Sequence, residues 1–214
     1  MIIAVVNQKG GVGKTTIAFN LAVEMNADLC VDLDAMRLLT RLNMLREGRG
    51  YAPLKIAAET TKEEIAALAL KYSGDQKLCV IDTAGVDSDI SRFALGVSNI
   101  AIAPCDISML DIIGTREFLK AAASMQGKSK REVVIRGVFS RVSPQTKKIQ
   151  SAAASLEKGG LKMFKTAIRQ RGALRGATDE GKAAAEFPAA WQSAAEFELL
   201  ASEIKETLNA ENNA

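Results

Sequence analysis

The chain has 214 residues, 48% of them hydrophobic and 25% charged, enough to bury a core without disulfides or metals and suited to one substantial domain spanning residues 1–214. Its formal net charge of +3 hides an uneven distribution: residues 120–182 carry 15 Lys/Arg against 4 Asp/Glu, a basic stretch of the kind that faces a polyanion. The absence of histidine and the three scattered cysteines, Cys30, Cys79 and Cys105, argue against a disulfide framework, a C-x-x-C metal pair and histidine acid–base chemistry, and no apolar run reaches the ~18 residues of a membrane span.

The opening MIIAVV is a short apolar run with no basic stretch before it and a glycine loop after it. It reads as a strand, not as a signal peptide, and points to the cytoplasm. The next stretch, NQKGGVGKTT, ends on the Gly13-Lys14-Thr15 of a phosphate-binding loop, but Gln8 stands where G-x-x-x-x-G-K-[ST] has its first glycine. Context supports the loop all the same: a strand precedes it, a helix over TTIAFNLAVEM follows it, and Gly10, Gly11 and Gly13 around Val12 let backbone amides converge on phosphate oxygens. Lys14 is then expected on the β- and γ-phosphates, the Thr15 hydroxyl on Mg²⁺ and Thr16 at the α-phosphate. Lys9 is a second lysine where such a loop needs one.

In VDLDAM, strand alternation predicts that Asp32 and Asp34 point to the same side, toward the nucleotide end of the sheet. Thr61 and Glu64 in TKEE form a capping-box pattern, with Gly74 where a helix over about 61–72 stops. Asp82 ends the apolar run LCVIDTAG, where a carboxylate can hold magnesium through a water, and Gly85 completes D-x-x-G, whose backbone N–H can sense a γ-phosphate. No N-K-x-D motif is present, so adenine is favoured over guanine and ATP is the expected nucleotide.

Ser143 and Pro144 predict an N-cap and a first-turn proline for a helix that Gly159 and Gly160 end. Within it Ile149, Ala152, Ala153 and Leu156 face the sheet, while Lys147, Ser151 and Lys158 face outward. Trp191, Phe197, Leu200, Ile204 and Leu208 mark a terminal amphipathic helix before the polar NAENNA. The strand-like runs IIAVV, LCVDL, LCVIDT, IAIAP and VVIRGVF alternate with helical segments. Together they predict an α/β fold with a doubly wound, mainly parallel sheet flanked by helices, P-loop NTPase-like, with its ligand at the carboxyl ends of the strands.

KGGVGKTT, VDLDAM, VIDTAG, IAPCDISMLDIIGTREFL and KTAIRQRGALRGATDEGK, in that order over roughly residues 2–182, resemble the signatures of ParA-type partition ATPases in the ParA/MinD superfamily, which carry a deviant Walker A loop. The resemblance implies an ATPase that forms a homodimer when ATP-bound, with Lys9 reaching the partner subunit's phosphates. It also implies that Asp34 orients the attacking water and that Asp32 and Asp82 order the water shell of magnesium. Members bind nonspecific DNA and are stimulated by a centromere-binding ParB-type partner, which implies a nucleoid-associated protein without a membrane anchor. With the loop starting at residue 9, DNA contact falls to the ATPase domain, and Lys147, Lys148, Lys158, Lys162, Lys165, Arg169, Arg171 and Arg175 are the candidates.

Two departures stand out. Ala35-Met36 replaces a common Pro-Gln, which bears on how this loop couples to hydrolysis, and Ser140-Arg141 replaces an Asn-Arg pair that often helps hold adenine. Two other readings fit the same fold: a MinD-like positioning ATPase, which needs an amphipathic anchor, and a metabolic ATP-dependent enzyme, which needs cluster cysteines or a substrate pocket.

Overall fold

The computed structural model of the protein describes residues 1–58, 61–72, 77–85, 88–126 and 133–212. Seven strands are present among them: β1 (Ile2–Val5), β2 (Leu29–Asp32), β3 (Ile56–Ala58), β4 (Cys79–Asp82), β5 (Ile100–Cys105), β6 (Val134–Val142) and β7 (Met163–Arg169). They form one sheet in the order β3-β2-β4-β1-β5-β6-β7, with every ladder parallel. Six α-helices connect them, α1 (Lys14–Glu24), α2 (Leu38–Gly48), α3 (Lys62–Tyr72), α4 (Asp89–Val97), α5 (Met109–Gln126) and α6 (Ile149–Glu157), and two more follow β7, α7 (Gly172–Asp179) and α8 (Trp191–Asn212). The order reverses at β1, and the crevice beside that strand is where a doubly wound sheet places its ligand.

The two-residue alternation of a strand explains the layering. In and just beyond β1, Ile3 and Val5 join one core cluster with Phe19 and Leu21 of α1 and Phe197, Leu200 and Ile204 of α8. Ile2, Ala4 and Val6 join the other, with Ile65 of α3, Leu95 of α4 and Phe118 of α5. Both faces of β1, β2 and β4 are therefore buried, which is why these strands read as unbroken apolar runs.

Several sequence expectations meet their structure here. Thr61 and Glu64 do form the reciprocal cap, Thr61 N donating to Glu64 Oε2 at 2.8 Å and Glu64 N to Thr61 Oγ1 at 3.2 Å, while Gly74 lies outside the described residues. Ala152 and Leu156 are buried, Ile149 and Ala153 pack against the same cluster, and Lys147, Ser151 and Lys158 are exposed. The start of α6 is corrected: Ser143 to Thr146 form a separate turn, closed by Thr146 N on Ser143 O, and the helix begins at Ile149. Trp191 is also corrected, being 67% exposed at the first residue of α8 while Phe197, Leu200, Ile204 and Leu208 are buried.

Strands β3 and β7 were not among the apolar runs. β3 is three residues long and two of them are alanine. β7 has lysine and arginine interleaved and sits at the sheet edge, where carboxylates of α8 satisfy its backbone. Glu203 accepts from the N–H of Lys165 at 2.7 Å and of Thr166 at 2.9 Å, and Glu196 from that of Arg169 at 3.0 Å. A carboxylate row on an edge strand blocks pairing with another chain.

The end of α2 is bolted to residues 181–186. Arg46, 5% exposed, forms a two-pronged pair with Glu186 and donates to Ala52 O at 2.7 Å, with its guanidinium over Phe19 and Tyr51. Glu186→Ala leaves that buried cation uncompensated and is expected to cost about 3 kcal/mol in urea unfolding. A double change to Met at 46 and Leu at 186 is expected to recover most of the loss; a single variant as stable as wild type would show that the pair bears no stability.

Candidate nucleotide site

The loop between β1 and α1 wraps the N-terminus of α1. Gly11 and Gly13 have φ of +74° and +93°, a region that disfavours side chains. A Cβ on Gly13 would also sit 2.7 Å from Ser140 Oγ. α1 begins at Lys14 with no side-chain cap and no acid in its first turn, so its leading N–H groups and positive dipole end face an open space. That space is a cavity of about 600 Å³, the size of a nucleotide site.

Gly10, Gly11, Gly13, Lys14, Thr15 and Thr16 line one end of the cavity, with Asp34 and Gly85 beside them. Val12 is buried and does not line it. Gly85 lies so close to the loop that a Cβ there would meet Gly10 Cα at 3.2 Å and Lys14 Nζ at 3.3 Å. Lys14 is nearly buried and donates from Nζ to the carbonyl of Lys9 at 2.9 Å. Burial lowers its pKa, against the pull of Asp82 and Asp34.

The three aspartates differ. Asp82 ends β4 fully buried, with neither carboxylate oxygen hydrogen-bonded in standard geometry. Burial pushes its pKa up to about 7, against the neighbouring Thr15 hydroxyl and the Lys14 ammonium. An orphaned carboxylate beside the Thr15 hydroxyl fits a magnesium ion that takes its remaining ligands from phosphates and water. Asp32 is equally buried, but its Oδ2 accepts from Thr40 N at 2.9 Å and Thr40 Oγ1 at 2.7 Å, and its Oδ1 from Asp34 N at 3.2 Å. Those bonds hold the entry to α2, so of these two buried carboxylates the one without a hydrogen-bond partner is that of Asp82.

β2 stops at Asp32, so Asp34 reaches the cavity from the following turn and not by strand alternation. Its Oδ1 accepts from Met36 N at 2.8 Å. Lys9 does not line the cavity; its Nζ lies 2.7 Å from Asp111 Oδ2 in the first turn of α5. Lys9 is half-exposed and Asp111 buried. Although burial pushes the Asp111 carboxyl up, the Lys9 ammonium and the Ser108 hydroxyl hold it below the usual carboxylate range.

The basic candidates separate into two groups. Lys147, Lys148, Lys158, Lys162 and Lys165 are exposed around α6 and β7. Arg169, Arg171 and Arg175 instead line the cavity, and Glu196 lies 2.7 Å from Arg171 and 3.8 Å from Arg169. Sequence reasoning left Asp111 without a role and named Arg141 only in the Ser140-Arg141 pair at the place of an adenine-holding Asn-Arg; both residues of that pair line the cavity. Asp111 carries a readable signal, since S-x-x-D at Ser108 is a helix-start pattern. The hold of Arg141 on the phosphate loop carries none: its φ of +60° and its guanidinium bond to the Gly11 carbonyl arise only when the end of β6 meets the loop.

Residues 3–184 match the family described as "CobQ/CobB/MinD/ParA nucleotide binding domain". The chain belongs to this family of nucleotide-binding ATPases. It is 29% identical over 208 residues to a "Maintenance of carboxysome distribution protein A" of Gloeobacter kilaueensis, covering 91% of this chain and 92% of the relative. It is 24% identical over 178 residues to "Protein ParA" of Rhizobium radiobacter, covering 79% and 78%. Among solved structures, an aspartate-to-alanine variant of Cyanothece McdA in complex with ATP superposes with a TM-score of 0.72 at 18% identity, over 97% of this chain and 96% of that one. At that identity the likeness carries the fold, a P-loop α/β sheet flanked by helices.

Proposed function

We propose that this chain is an ATP-dependent switch of the partition type. With ATP and Mg²⁺ bound, two copies close face to face, Lys9 of each completing the charge cradle of the other, and the dimer binds DNA without regard to sequence. Hydrolysis is slow and is stimulated by a centromere-binding ParB-type partner, so that a cargo is moved over the nucleoid.

Lys9 carries the reading. It belongs to the phosphate loop yet stands outside the cavity of its own chain, where Lys14 already serves. Lys14 and the α1 N-terminus bind phosphate, while Asp34 stands in the cavity at a place suited to orienting a water. The loose transition state of phosphoryl transfer needs no histidine. Magnesium, held by Thr15 and Asp82, would neutralise charge on the phosphates.

DNA contact on this reading rests on Lys147, Lys148, Lys158, Lys162 and Lys165, since the three arginines face the cavity. Binding of labelled random duplex in the presence of a nonhydrolysable ATP analogue is expected to weaken steeply with salt. Replacing Lys147 and Lys148 by alanine should reduce the log–log salt slope by about 0.9 for each DNA phosphate that is no longer neutralised. An unchanged slope would remove these two residues from the interface, and no binding at any salt would remove DNA from the function.

A second reading differs in cargo: a protein assembly in place of a plasmid, as the similarity to the carboxysome-distribution protein suggests. Deletion would then disperse the assembly without raising plasmid loss. A MinD-like anchor finds less support, because α8 spends its apolar face, Phe197, Leu200, Ile204 and Leu208, on the core.

A further inference from the structure

Arg169 ends β7 and lines the nucleotide cavity, yet its guanidinium also holds a loop. Its Nη1 donates to the carbonyl of Pro144 at 3.1 Å and lies 3.5 Å from that of Ser143. The segment after β6, residues 143–148, carries the exposed Lys147 and Lys148. Its other bonds are local: Ser143 Oγ with Gln145 Oε1 at 2.8 Å, Thr146 N on Ser143 O at 3.1 Å and Lys148 N on Thr146 Oγ1 at 3.4 Å. Among the described residues, the hydrogen bonds joining Ser143–Thr146 to a different element are the two from Arg169.

We propose that Arg169 couples the cavity to this loop: a nucleotide in the cavity redirects the guanidinium, releases the carbonyls of Ser143 and Pro144, and repositions Lys147 and Lys148. A guanidinium offers five N–H donors in one plane, and its bonds to anionic oxygen are roughly twice as strong as those between neutral groups. Two peptide carbonyls are weak competitors for it against a polyanion in the same cavity. Nor is its charge cancelled where it stands, because the single Glu196 carboxylate is shared with Arg171, which takes the shorter contact at 2.7 Å against 3.8 Å for Arg169.

The coupling rests on the nucleotide reading of the cavity, and it gives the DNA reading a physical route: occupancy at one end of β7 alters the lysines that follow β6. A probe on the loop tests it separately from DNA binding. Cys30, Cys79 and Cys105 are buried with thiols pushed up to about 12, so Gln145→Cys in the full chain takes an environment-sensitive thiol dye at one place. Saturating nonhydrolysable ATP analogue with Mg²⁺ is expected to shift the dye emission. In the same background Arg169→Gln should show a shifted baseline without nucleotide and no further response, with saturation checked by anisotropy of a labelled analogue. Should that variant not fold, Arg169→Lys, a point charge in place of the planar fork, is expected to give a reduced response.

A dye that ignores saturating nucleotide in the parent, or that responds equally in the Arg169 variant, overturns the coupling. A dye response that is intact, and lost in the variant, supports the coupling even where labelled random duplex binds in no state. In that case the DNA function fails and the coupling stands.

Discussion

Lys14→Met is expected to abolish measurable nucleotide binding while leaving the apo protein at least as heat-stable as wild type. Two opposed terms meet at one ammonium. On the ligand side, charge-assisted bonds to two phosphates are lost, each worth about 1.5–3 kcal/mol, so affinity should fall on the order of 100-fold or more. On the folding side, Lys14 is held nearly buried by one bond to the Lys9 carbonyl, and burial already lowers its pKa. A methionine of similar length keeps the packing and removes the desolvation cost, while Asp82, its pKa raised to about 7, can take a proton when the neighbouring cation goes. Titration calorimetry with Mg-ATP and a nucleotide-free thermal melt separate the terms. Affinity within about tenfold of wild type would sink the phosphate role, and a clear fall in melting temperature would mean that the Lys9 carbonyl bond outweighs the desolvation cost.

The phosphate loop, the central strands and the layered sheet were legible in the sequence because each rests on local chemistry or on burial of both strand faces. Gly13 is glycine for a backbone reason visible in the motif, and the LCVI run before Asp82 is apolar because both faces of β4 are buried, Leu78 and Val80 in one core layer and Cys79 and Ile81 in the other. What could not be read depends on contacts distant in sequence. β7 is a strand because Glu196 and Glu203, some 27 to 38 residues later, satisfy its edge. Ser143-Pro144 looks like a helix start, but the Ser143 hydroxyl bonds Gln145 and the turn closes before the helix begins. The roles of the basic residues divide for the same reason: nothing in KTAIRQRGALR distinguishes the outward Lys165 from Arg169, Arg171 and Arg175, which the β7–α7 turn brings to the cavity.

Lys9→Ala is expected to abolish the ATP-dependent dimer measured by light scattering while leaving nucleotide affinity within severalfold of wild type, because Lys9 does not line the cavity of its own chain. Its pairing with Asp111 makes the partner equally informative. In the described state the ammonium sits 2.7 Å from a buried carboxylate that also accepts from the Ser108 hydroxyl, so before Lys9 can reach a second subunit this ion pair must open. Lys9 is half-exposed, which screens the pair and keeps the cost of opening small, yet the carboxylate left behind is buried and loses its counter-charge. In the proposed dimer, phosphate oxygens of the other subunit would offer the ammonium a stronger anion in return, so closure is expected to require nucleotide. Asp111→Asn removes the competing charge at constant size. Its expected result is dimerisation at lower ATP concentration than wild type requires, with Lys9→Ala still monomeric when the two changes are combined. If Asp111→Asn instead lowers dimerisation, the carboxylate holds Lys9 in its working position and does not restrain it. If the combined variant dimerises, the interface forms without Lys9 and the lysine is not the element that senses a second nucleotide.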